Sequence, residues 1–189
     1  MSLFDFTFAL SAVVLGLALT HLAANTHKLL LAGDRVLWAT EPILLATIVF
    51  FVIVGVWLEQ WSARSVETVM VAQIFVQTLK FLALYFAAAS CLPEPPPEGV
   101  STDLYAYYDR TRRLSFGALL VSLLLFRFDQ FAFYDLPDGW TIWDSLQMAL
   151  YPVLWLLLLF IRRRWLNKLI LVGALLHYGW MLLSSQLST

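Results

Sequence analysis

The 189-residue sequence is short of charge: Asp, Glu, Lys and Arg make up 13% of it, against about 25% in soluble domains. A soluble globular domain, a disordered chain and a nucleic-acid-binding surface all need more. Cysteine occurs once, at Cys91. That excludes an intramolecular disulfide and a thiolate metal cluster within one chain. The start, Met1-Ser2-Leu3-Phe4-Asp5, lacks the basic stretch of a cleavable signal peptide and carries an acid instead. Its first apolar stretch is therefore read as a retained spanning helix. Catalytic signatures are missing as well. There is no paired-histidine zinc motif, no nucleophile elbow, no phosphate loop and no dinucleotide fingerprint. No enzymatic activity, bound metal or nucleic-acid partner is expected.

What the sequence has is apolar surface. Hydrophobic residues make up 61% and the mean hydropathy is +0.78, so lipid is the expected solvent. A helix needs about 20 apolar residues to cross a bilayer. Six such stretches run over residues 6–30, 38–61, 66–92, 114–134, 142–160 and 166–187. They are continuously apolar rather than alternating, which argues for helices and against a barrel. The fold class expected is all-α: one domain, residues 1–189, built as a bundle of six transmembrane helices. Most links are short, so consecutive spans are antiparallel neighbours. The long link, 93–113, opens on a proline-rich run at 93–97. Its second part, 101–113, reads as a short amphipathic helix along the membrane surface, with Tyr105 and Tyr108 on one side.

Basic residues orient the bundle. Lys28, Arg35, Arg110, Arg112, Arg113, Arg162, Arg163, Arg164 and Lys168 all fall at links one, three and five. The positive-inside rule puts these links in the cytoplasm and both termini outside. Trp38, Trp57, Trp61, Trp140, Trp143 and Trp165 fall at the expected interfaces. Glu41, beside Thr40 at the start of span two, reads as a helix-dipole partner with no chemistry of its own. Arg162–Arg164 reads as a topology anchor and an anionic-lipid contact.

Polar groups inside the spans are the functional candidates, because lipid makes them expensive. Gln73, Gln77 and Lys80 lie along one stripe of span three, and His21, Asn25 and Lys28 along one stripe of span one. Counting along the spans puts His21, Lys80 and His177 near one depth in the cytoplasmic half. That level reads as an intramembrane polar site for a proton or an anion. The alternative is a haem b held by His21 and His177, with Gly173 and Gly179 leaving room for the ring. The structural alternative has Lys80 snorkelling to the cytoplasmic headgroups while the histidines and glutamines tie helices together. Arg127 and Asp129, two apart in the outer half of span four, face different sides. Glu59 is the acid expected to pair with Arg127.

Two stretches carry a resemblance. One is Leu3-Phe4-Asp5-Phe6 with Leu15-Gly16-Leu17 and Thr20-His21-Leu22. The other is Asp103-Leu104 with Tyr107-Tyr108, Arg112-Arg113 and Phe116-Gly117. Together they resemble a group of small, uncharacterised integral inner-membrane proteins of bacteria. The resemblance implies a multi-span helical fold in a bacterial inner membrane, with the termini then periplasmic, and no particular activity. The first functional expectation is a small oligomeric channel or transporter for protons, ions or a small solute. The others are a haem- or quinone-binding redox protein and a non-catalytic accessory subunit. The partners expected are membrane lipids and a second copy or a larger membrane complex.

Overall fold

The computed structural model describes residues 3–62, 70–95, 97, 100–133 and 141–184. Six α-helices carry the fold: α1 (Leu3–Ala32), α2 (Thr40–Ser62), α3 (Val71–Cys91), α4 (Leu104–Phe133), α5 (Ile142–Phe160) and α6 (Arg164–Ser184). Five of them, all but α5, are long and apolar enough to cross a membrane, while α5 contributes a shorter apolar stretch, Ala149–Phe160. The expected start of span three, residues 66–69, and Trp140 lie outside the described residues.

The buried positions follow helical periodicity. On α1, Ser11, Leu15, Ala18, Leu22, Asn25, Leu29 and Ala32 are all buried, at alternating spacings of four and three. This stripe is the face a helix presents to a neighbour, and α1 packs mainly on α3. α2 is central, touching α1, α3, α4 and α6, and it buries Leu45, Ile48, Val49 and Ile53 almost completely. The tightest pairing is α3 with α4. There small residues let the backbones approach, and hydroxyls bond across. Ser90 and Ser115 share a hydrogen bond of 2.8 Å, and the Ser122 hydroxyl donates to the Lys80 carbonyl at 3.0 Å.

The link 101–113 is not a separate surface helix. Thr102–Asp103 forms a two-residue strand, β2, paired in parallel with β1 (Val36–Leu37). From Leu104 onward the chain is one continuous helix of 30 residues. The expectation failed because charged residues interrupt the apolar run while the helical period continues through Leu104, Tyr108, Arg112 and Ser115, all buried. Asp103 caps this helix: its Oδ1 accepts from the Tyr105 and Ala106 amides at 2.8 and 3.1 Å. Asp103→Ala should cost about 1 kcal/mol, read as the unfolding midpoint in mild detergent. An unchanged midpoint would show that the cap carries no stability. At the end of α1, Gly33 holds φ +55°, a left-handed stop that glycine tolerates best.

One end of the bundle gathers all three basic links. Asn25 donates to the Leu92 carbonyl at 3.3 Å, Arg112 Nη1 donates to the Ile161 carbonyl at 2.5 Å, and β1 pairs with β2. Helix direction therefore alternates along the chain. This end is called the basic end below.

Candidate functional site

Lys80 is the tenth residue of α3, close to the middle of a 21-residue helix. Side chains on a helix tilt toward its N-terminus. The N-terminus of α3 lies away from the basic end, so the ammonium is carried that way. It meets Asp129 Oδ2 at 2.5 Å, with side-chain exposures of 4% for Lys80 and 16% for Asp129. The Phe126 ring lies 4.3 Å from Nζ and covers it. Lys80 thus neither snorkels toward the basic end nor joins His21. Its partner carries a sequence signal: Ser115, Ser122 and Asp129 recur every seven residues along the α4 face that meets α3.

Glu59 on α2 lies within Coulombic range of Lys80, Arg127 and Asp129. Three helices therefore bring two acids and two bases together. Glu59 and Arg127 do not form the expected ion pair. Arg127 Nη1 instead donates to Gln130 Oε1 at 3.2 Å.

The other candidates are distributed differently from the expected single level. Gln73 accepts from the Met70 amide at 2.8 Å. It is a cap residue, because α3 begins at Val71 with Met70 at its N-cap. Gln77 is half-buried, one turn from Lys80. His21 accepts from the Asn25 side-chain amide at 3.1 Å and lies beside Tyr85. With the Asn25–Leu92 bond, this ties α1 to the last turn of α3 at the basic end. His177 is hydrogen-bonded through Nδ1 to the Tyr151 hydroxyl. It lies thirteen residues beyond Arg164, about 20 Å along α6, and so in the half away from the basic end. His21 and His177 therefore occupy separate clusters. A Cβ added at Gly173 or Gly179 would meet nothing within 4 Å. Among the described residues, no group of three or more His, Cys, Asp or Glu could hold a metal ion.

A second charged cluster stands at the basic end, and the sequence reading missed it. Glu41, treated as a dipole partner, has a side chain with 0% exposure. Arg164 Nε and Nη2 donate to its two oxygens at 2.6 and 3.4 Å, and Lys168 Nζ lies 3.7 Å away. The Arg164 guanidinium also stacks 4.1 Å from the Tyr105 ring centre. Buried Tyr108 donates to Asn167 Oδ1 at 2.8 Å. Arg112, read as an orientation anchor, is buried, and it reaches both the Ile161 carbonyl and Asp109. Arg162 and Arg163 remain exposed. Glu41 thus ties α2 to α6, and Arg112 ties the link between α5 and α6 to α4. Glu41→Gln should speed amide hydrogen exchange several-fold over the first turn of α6, because a two-pronged charge-assisted clamp is lost. Unchanged exchange there would show that the clamp does not hold that turn.

Between the two clusters lies an aromatic layer. Trp155 of α5, 1% exposed, stacks on Phe116 of α4 at 5.9 Å and on Tyr178 of α6 at 6.5 Å. Tyr151 packs on Tyr178 at 4.4 Å.

No protein-family model, no curated protein and no solved structure matches this chain. Fold and geometry define an all-helical chain with five helices long and apolar enough to span a membrane. Two internal charged clusters are separated by aromatic side chains.

Proposed function

We propose that this chain is a bacterial inner-membrane transport protein for a proton, an ion or a small solute. In this reading α5 is the sixth span, the basic end is cytoplasmic and both termini are periplasmic. The asymmetry of Lys and Arg between the links supports the orientation. The observation that carries the functional reading is the Lys80–Asp129 pair, buried midway along α3 with Glu59 and Arg127 close by. Ionisable groups at that depth in lipid are costly and mark pathways for charge. The pair has two chemical states. Asp129 can take a proton and release Lys80, which lets a helix–helix contact follow the movement of charge. The clamp on Glu41 would close the cytoplasmic end in the arrangement described.

Purified protein in liposomes tests this. Proton or ion flux should appear under an imposed gradient, and Asp129→Asn or Lys80→Met should lower it about tenfold or more, the range of removing one positioned charge. Absence of flux under every gradient would overturn the proposal. A chain this small encloses little volume, so self-association is part of the reading, and native mass spectrometry in mild detergent reads it. Haem or quinone binding at His21 and His177, and an accessory-subunit role, have no structural observation of their own in support.

A further inference from the structure

Beside the closed Lys80–Asp129 pair stands an opposed pair that does not close. Glu59 and Arg127 lie within Coulombic range of each other. Even so, the ion pairs among the described residues join Lys80 to Asp129, Arg112 to Asp109, and Arg164 and Lys168 to Glu41. Arg127 uses Nη1 on Gln130, while its Nε is buried with no hydrogen-bond partner. Gln60, next to Glu59 in α2, has a buried Oε1 that also has no partner. Tyr178 lies within electrostatic range of Arg127 from α6. Opposite charges gain by closing to contact wherever water screens them only in part. A buried donor or acceptor without a partner is costly. Here an acid and a guanidinium stay out of contact, with an orphan donor on the guanidinium and an orphan acceptor on the residue next to the acid.

The charge balance limits what such a place can bind. Glu59 and Asp129 offset Lys80 and Arg127, and Lys80 with Asp129 already neutralise one another. A simple anion drawn to Arg127 meets Glu59, and a simple cation drawn to Glu59 meets Arg127. A molecule carrying both charges satisfies both. Glu59 is exposed and Arg127 half-buried, and both lie toward the end of the bundle opposite the basic links.

We propose that Glu59, Gln60 and Arg127 form a binding site for a small zwitterion, its ammonium toward Glu59 and its carboxylate toward Arg127. The site's role as a cargo site rests on the transport reading above, but binding itself does not. The test is isothermal titration of the full chain in detergent with glycine, 4-aminobutyrate and 6-aminohexanoate, and with acetate and methylammonium as single-charge probes. One of the three amino acids should bind best, reporting the separation of the two charges, and neither single-charge probe should match it. Arg127→Gln and Glu59→Gln should each weaken that binding about tenfold or more, as expected for loss of one charge-assisted contact. Glu59→Gln changes an exposed side chain, so it remains informative if Arg127→Gln fails to fold. Equal binding of acetate or methylammonium, no binding of any amino acid, or binding indifferent to Glu59→Gln would each overturn the site. Binding without liposome flux would keep the site and remove transport. Flux without binding would remove the site and keep transport.

Discussion

Asp129→Asn should lower the unfolding free energy by about 3–5 kcal/mol, the range for removing one partner of a buried ion pair. The cost comes mainly from what is left behind. Lys80 is 4% exposed and covered by Phe126, so its ammonium loses its counter-ion without gaining water. Lys80→Met should cost a similar amount by stranding the Asp129 carboxylate. The double variant, Lys80→Met with Asp129→Leu, should recover most of the loss, because two apolar side chains of similar volume need no counter-charge. Unfolding in mild detergent, followed by helical circular dichroism, reads all three. If the double variant is as unstable as the singles, the pair is not what sets the cost. If the singles are neutral, water reaches the pair freely. Flux separates the two roles of the pair: the stable double variant should still be inactive, because a contact without charge cannot follow a proton.

Trp155→Ala should cost about 3 kcal/mol, toward the lower end for a buried tryptophan. In a membrane the unfolded reference is already apolar, so little transfer energy is lost on truncation. What is lost is packing, because a cavity replaces an indole that touches α4 and α6 as well as its own helix. Tyr151, Phe116 and Tyr178 all stack on that ring. The α5 backbone packs on α4, and α6 on α2, so the aromatic layer bridges α5 to α6. Trp155→Phe keeps much of the volume and should cost clearly less. If the two substitutions cost the same, the layer is held by something other than the fit of this ring.

Helix positions were largely legible because apolar length is a strong signal. The fifth stretch, 142–160, coincides with α5, and the second and sixth fall within a few residues of α2 and α6. The start of α4 was not legible from hydropathy, since Arg110, Arg112 and Arg113 dilute it, although its period was visible. Depth counting failed for Lys80 because it placed the α-carbon and ignored the tilt of the side chain. Glu41 and Arg112 are not legible for a different reason. Each had a sufficient local explanation, helix dipole or topology, and burial by a residue more than a hundred positions away, as with Arg164 and Glu41, leaves no local trace. Glu59 and Arg127 are expected to pair from their charge alone, and a sequence does not show that Arg127 turns to Gln130 instead.

The separation of 49 residues between Lys80 and Asp129 has a consequence for synthesis. When α3 leaves the ribosome, its lysine has no counter-ion, and a lone lysine at the centre of a membrane helix costs about 2.5–3.5 kcal/mol on insertion scales. The acid that neutralises it lies near the far end of α4. A chain entering a bilayer would carry that cost until α4 had followed α3, so the closing of this pair would favour the docking of α4 on α3.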